Sequence, residues 1–171
     1  ATRQLLEAHG LACPMVSAGS TGSYRFDAAI EGLTELQPGS FVFMDSDYLR
    51  IGGADGTEAY DDFRPALSVV TTVVSVHGDD AIVDGGYKAF STDRPFPPLA
   101  VDRPDFGYTW AGDEHGRIDM RRAARRLAVG DRLEFRPPHC DPTVNLYDEI
   151  HVLRGEDVEA VWAIAARGKS Q

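Results

Sequence analysis

The stretch "ALSVVTTVVSVHGDDAIVDGG", residues 66–86, constrains the fold of this chain more than any other. Val and Thr dominate it, and β-branched side chains are at home on a pleated surface and stiff in a helix. Gly78 and Asp79 are turn formers, so the run reads as two strands joined at His77 to Asp79. Two further segments have the same character. "GDRLEFRP" (130–137) is a half-buried strand with Leu133 and Phe135 on one face, and "EIHVLRGEDVEAVWAIAARG" (149–168) is a hairpin turning at Gly155-Glu156-Asp157. Residues 56–171 are therefore predicted to form an antiparallel β domain. Within it, residues 91–108 are too interrupted by proline for regular structure and read as a long loop.

Residues 1–55 have a different rhythm: helix (about 2–9), strand (about 12–17), a glycine loop, short helix (about 25–31) and strand (about 40–44). This alternation predicts parallel strands with helices outside. The fold class is α/β followed by all-β. The first residues open inside a helical pattern, which leads us to expect part of something longer.

A net charge of −10 argues against a nucleic-acid partner. The one basic run, "RRAARR" (Arg121 to Arg126), reads as a solvated loop or short helix. With only Cys13 and Cys140, and no secretory or membrane-spanning segment visible, a cytoplasmic protein without a structural disulfide is expected.

Chemistry concentrates in "PPHCDPTVNLYD" (137–148), where His139, Cys140 and Asp141 sit between prolines. Pro138 and Pro142 bias the residues before them to extended backbone. His139 and Asp141 then point to one side and Cys140 to the other. An imidazole nitrogen and a carboxylate with open positions suit Mn²⁺, Mg²⁺ or Zn²⁺ better than a closed structural zinc site. A His–Asp hydrogen bond within a tight turn is the competing reading.

"SAGSTGSY" (17–24) follows a strand and precedes a helix, a setting in which backbone amides and hydroxyls can hold an anion. It lacks the lysine of a P-loop and the acidic partner of a dinucleotide fold, so a mononucleotide or cofactor phosphate fits better, and an ordinary strand-to-helix turn competes. "DEHGRI" (113–118) reads as a satisfied loop histidine, and Tyr87 and Lys88 in "DGGYKAF" as packing residues. His9, His77 and His151 receive no role.

Taken together, "SAGSTGS", "LQPGSFVFMD", "EHG" and "PPHCDPTVNLYD" resemble the D-threonine aldolase and D-serine dehydratase family, pyridoxal-phosphate enzymes of the alanine-racemase fold. The resemblance implies that residues 1–55 are the last βα units of a (β/α)8 barrel holding pyridoxal phosphate, and that 56–171 are a β domain with a metal site. It places Ser20, Thr21, Gly22 and Ser23 on the phosphate loop and His139 and Asp141 on the metal. Ala18 stands where the family loop often has glycine. The dehydratase branch has His-x-Cys, whereas here Asp141 lies two after His139, which favours the aldolase branch.

The resemblance implies cleavage of D-3-hydroxy amino acids to glycine and an aldehyde. A divalent metal, manganese first, would bind the substrate hydroxyl, and His139 or a water held by the ion would take its proton. A homodimer is implied. The family's Schiff-base lysine has no counterpart: only Lys88 and Lys169 are present, in other contexts. The chain is thus expected to be inactive alone. A dehydratase of the same family, and a non-catalytic binding or dimerisation module, are the alternatives.

Overall fold

The computed structural model describes residues 1–53, 55–58 and 60–169. The expected first helix is α1 (Thr2–Ala8). The next elements are short: β1 (Ser17–Ala18), α2 (Tyr24–Asp27) and β2 (Glu35–Leu36). β1 and β2 pair in parallel, Ser17 opposite Glu35, so the β/α/β connection read from the sequence is present. Its bounds differ from expectation. Residues 12–16 form no strand, and in place of a strand at 40–44 there is a 3-10 turn at Ser40–Val42. The amides are taken elsewhere: that of Phe41 goes to the Thr21 hydroxyl (3.1 Å) and that of Val42 to the Gly39 carbonyl, leaving no ladder to join. A (β/α)8 barrel is not displayed by these residues.

Residues 1–42 form one compact unit and 43–171 a second. Residues 43–55 thus lie in the second unit, whereas the sequence rhythm groups them with the first. In the first unit only Thr21 and Ser40 are buried, and both are polar.

The second unit is built on six strands: β3 (Val69–His77), β4 (Asp80–Val83), β5 (Leu99–Ala100), β6 (Gly107–Trp110), β7 (Gly116–Asp119) and β8 (Arg132–Arg136). All neighbours are antiparallel, in the order β5-β8-β3-β4-β7-β6. The end strands β5 and β6 approach one another, so the sheet nearly closes. β5 and the start of β6 fall in the stretch expected to be all loop; a two-residue pairing with β8 is all that its prolines permit. The register of β3 shifts between Val73 and Ser75, a bulge. The strand's first half pairs with β8 and its second with β4.

The β3–β4 turn falls at Gly78–Asp79, as its residues predict, and alternation aims Ala81, Val83, Leu133 and Phe135 into the core. There Phe90 makes edge contacts with Tyr108 and Phe135, ring centroids 6.1 Å from each. The Tyr108 hydroxyl donates to the Gly85 carbonyl at 2.6 Å. Burial pushes that phenol far above its ordinary value, so it stays a donor. A short helix, α3 (Cys140–Val144), follows β8, and β9 (Glu149–Arg154) with β10 (Asp157–Ala163) forms the expected hairpin as a separate sheet.

The basic run is a loop tied to acidic neighbours: Arg121 to Asp119, Arg125 to Asp131 and Arg126 to Asp79. The Arg121 guanidinium and backbone amide hold the Asp119 carboxyl down at about 2. No helix among the described residues is long and apolar enough to cross a membrane.

Two outcomes are expected. Tyr108→Phe leaves the Gly85 carbonyl without its donor and should cost about 1–3 kcal/mol in urea unfolding. Gly86→Ala should cost at least as much, because the added methyl would collide with the Gly112 carbonyl oxygen and the His115 backbone nitrogen. As for acid, Asp119 titrates lower folded than at its ordinary 3.8, so its contribution is full above that value and fades as pH falls toward 2. Asp119→Asn should flatten acid unfolding within that window and not above it.

Candidate metal centre

Three chain segments meet where β8 ends. Pro137 and Pro138 have no amide hydrogen, but their carbonyls accept from the amides of Ser46 (3.1 Å) and Asp47 (3.2 Å). The His139 amide donates to Ser91 Oγ (3.0 Å), and that of Cys140 to Asp45 Oδ2 (3.0 Å). Thr143 Oγ1 donates back to the His139 carbonyl (2.7 Å) and accepts the Ser91 amide (3.0 Å). Segments 45–47, 91–94 and 137–143 are thus laced together around His139.

The local conformation differs from the expected extended run. His139 is extended (φ −140°, ψ 127°), but Cys140 and Asp141 are the first two residues of α3. Pro142 is tolerated there because the first turn of a helix has no intrahelical use for an amide. Nor does Cys140 face away: its buried thiol lies 3.1 Å from Asp141 Oδ1. The helix lacks a cap from His139 itself, and Asp45 supplies one from far along the chain. Asp45 is fully buried and also accepts the Tyr48 amide (3.1 Å). Its predecessor Met44, also fully buried, holds a left-handed φ of 57°, a strained value for an unbranched bulky residue.

His139 and Asp141 are nonetheless brought together, with Nε2 3.7 Å from Oδ2. One ion with bonds of about 2.1 Å to each atom can bridge that gap, and a nitrogen and an oxygen are suitable donors. Among the described residues no cluster of three or more His, Cys, Asp or Glu is arranged for an ion, so protein ligation would stop at two. The side chain of His139 is 19% exposed and that of Asp141 69%, leaving the remaining positions to the solvent side.

A residue the sequence reading missed is Asp93, whose Oδ2 lies 2.7 Å from His139 Nδ1. It also pairs with Arg94 (2.8 Å), which donates to Asp47 at 2.6 Å. Burial pushes the Asp93 carboxyl up, but the hydrogen bond and charge of His139, its own backbone amide and Arg94 outweigh this and leave it lowered. No spacing rule links position 93 to 139; the only signal was an aspartate next to an arginine in a proline-rich loop.

The glycine loop is closed on itself. Ser23 Oγ accepts the Ser20 amide (3.1 Å), lies 3.0 Å from Ser20 Oγ and donates to Asp27 at 2.5 Å. The Ser23 amide goes to the Ser20 carbonyl, and Thr21 is buried with its hydroxyl on the Phe41 amide. Gly22 lies in the turn between them. The Ser20 and Ser23 groups are thus engaged within the chain, and the Asp27 carboxylate stands beside them. Elsewhere, Lys88 pairs with Glu114, Tyr87 stacks on Trp110 at 4.9 Å, His9 contacts the Leu5 carbonyl and His151 contacts Glu149. His115 lies in the turn before β7, its carbonyl accepting the Ala111 amide, and Lys169 is exposed.

Residues 66–153 match the family model described as "Putative serine dehydratase domain". A 3-hydroxy-D-aspartate aldolase of Paracoccus denitrificans is 42% identical over 167 residues, covering 96% of this chain and 42% of that protein. The crystal structure of D-threonine aldolase from Filomicrobium marinum superposes with a TM-score of 0.88 at 34% identity, over 99% of this chain and 46% of that one. D-threo-3-hydroxyaspartate dehydratase from Delftia sp. HT23 superposes with a TM-score of 0.73 at 27% identity, over 94% of this chain and 46% of that one. The chain therefore spans less than half the length of each.

The cap made by Asp45 can be tested directly. Asp45→Ala removes the acceptor for two amides and should cost about 2–4 kcal/mol, counting about 1–2 for each orphaned donor. Asp45→Asn, which keeps an acceptor oxygen, should cost less. Denaturant unfolding of both variants checks the order.

Proposed function

The chain belongs to the D-threonine aldolase and D-serine dehydratase family, and from that membership we propose that it is part of a metal-assisted pyridoxal-phosphate lyase. The reaction proposed is cleavage of a D-3-hydroxy amino acid into glycine and an aldehyde. The observation that carries this reading is the His139–Asp141 pair, a nitrogen and an oxygen 3.7 Å apart with solvent on the open side.

A divalent cation, when bound, supplies Lewis acidity toward the substrate's 3-hydroxyl. His139 Nε2 and Asp141 Oδ2 would hold it, and the mixed donor set suits manganese, with magnesium or zinc as alternatives. Asp141 is exposed and so can meet a substrate arriving from solvent, while His139 is held from behind by Ser91 and Asp93. His139 is also the candidate proton acceptor. With Nδ1 already on Asp93, only Nε2 is available for either role, so ligation and proton transfer by this ring are alternatives.

Pyridoxal phosphate enters this reading through the family resemblance, with Ser20 to Ser23 as its phosphate loop. A phosphate there would have to take the Ser23 hydroxyl from Asp27. Lys88 is engaged with Glu114, and this reading assigns the Schiff-base lysine, through the family resemblance alone, to a barrel segment. A homodimer in the cytoplasm completes the proposal.

The dehydratase reading is the second, supported by the likeness to the Delftia enzyme. Against it stands the carboxylate at Asp141, where the dehydratase branch carries a thiol two residues after histidine.

Full-length protein given D-threonine, D-serine and D-3-hydroxyaspartate should release glycine and an aldehyde; a keto acid and ammonia would establish the dehydratase instead. Asp141→Ala should lower metal-dependent turnover by at least about 100-fold, the upper range for lost metal-site support. Bound pyridoxal phosphate, followed by its absorbance, should be unchanged in that variant.

A further inference from the structure

We propose that Asp93 is the positioning residue of the metal centre: it holds the His139 proton on Nδ1, so that Nε2 faces Asp141 as a bare donor atom. This rests on the metal-site reading above and adds to it the group that decides which ring nitrogen is available.

His139 Nδ1 and Asp93 Oδ2 are 2.7 Å apart, the length of a charge-assisted hydrogen bond. An ionised carboxylate can only accept, so the proton of this bond belongs to Nδ1. The other tautomer would set the Nδ1 lone pair against an anion at the same distance. Among the described residues Nε2 has no such short contact: Asp141 Oδ2, at 3.7 Å, is beyond hydrogen-bond reach.

The carboxylate is itself fixed. Asp93 Oδ2 also accepts from Arg94 Nη1 (2.8 Å), and Arg94 Nε donates to Asp47 Oδ2 (2.6 Å). Two residues before Asp93, Ser91 takes the His139 amide at 3.0 Å. The same loop therefore grips His139 at backbone and ring, and neither a ring flip nor a swing of the loop is free. A carboxylate behind a ligating imidazole also strengthens the opposite nitrogen as a donor, and losing such a partner lowers metal affinity 10–100-fold.

The test uses the intact protein in two measurements. First, ¹⁵N-histidine-labelled, metal-free protein at alkaline pH is recorded by long-range ¹H–¹⁵N NMR, with His139→Gln identifying the ring. The Nδ1–H tautomer is expected; an Nε2–H tautomer overturns the proposal. Second, Mn²⁺ is titrated into unmutated, Asp93→Ala and Asp93→Asn proteins and followed by electron paramagnetic resonance. Asp93→Ala should bind 10–100-fold more weakly, and Asp93→Asn, whose amide oxygen still accepts from Nδ1, should recover much of the loss. Unchanged affinity in Asp93→Ala overturns the proposal. Should Asp93→Ala fail to fold by circular dichroism, the Asn variant and the NMR assignment decide. If unmutated protein binds no Mn²⁺, or Asp141→Ala binds it as well, the metal reading falls, and the tautomer alone decides the role of Asp93.

Discussion

A single buried carboxylate, Asp45, carries the geometry of the site. It accepts the amide that begins α3 and the amide of Tyr48, so the segments around positions 45 and 140 share one anchor. Burying a carboxylate is costly unless its oxygens are satisfied, and here each oxygen has a backbone donor. The strained backbone of Met44 persists because the surrounding contacts over-determine it: the amides of Ser46 and Asp47 are taken by Pro137 and Pro138. Without that anchor, α3 would lose the acceptor for its first amide, and His139 would be held only by the loop of Ser91 and Asp93 and by Thr143.

From this anchor the polar contacts run outward in a chain: Asp47 to Arg94, Arg94 to Asp93, Asp93 to His139, then across a 3.7 Å gap to Asp141. The links up to Asp93 are about equally part-exposed, His139 is the most buried of them at 19%, and only Asp141, at 69%, opens to solvent. A held imidazole beside an exposed carboxylate places rigidity at the back of a site and chemistry at the front, the arrangement needed to hold a ligand while leaving room for exchange.

How much of this was legible in the sequence depended on whether the signal was local. The β3–β4 turn, the Leu133/Phe135 face and the terminal hairpin were legible because β-branched residues, alternation and Gly-Asp turns act within a few positions. The extended reading of Cys140 and Asp141 failed because proline was weighed only as a constraint on its predecessor, while a helix's first turn also accepts it. The strand expected at 40–44 failed because the Phe41 amide is taken by Thr21, twenty positions away. Asp45 and Asp93 lie farther still from the residues they hold. The His139–Asp141 pair was found for a reason the structure replaces: the two side chains meet through a helix turn, not through strand alternation.

The polar interior of residues 1–42 has a consequence for how the chain loses its structure. With only Thr21 and Ser40 buried, and Leu5, Met15, Phe26 and Ile30 exposed, this unit holds little apolar area whose release would resist opening. Its amides should exchange with deuterium at rates near those of local fraying, while the amides of β3, β4 and β7 wait for global unfolding. Melting followed by fluorescence from Trp110 and Trp162, both in the second unit, would then be blind to the first event. An apparent single transition by that probe would describe the sheet and not the whole chain.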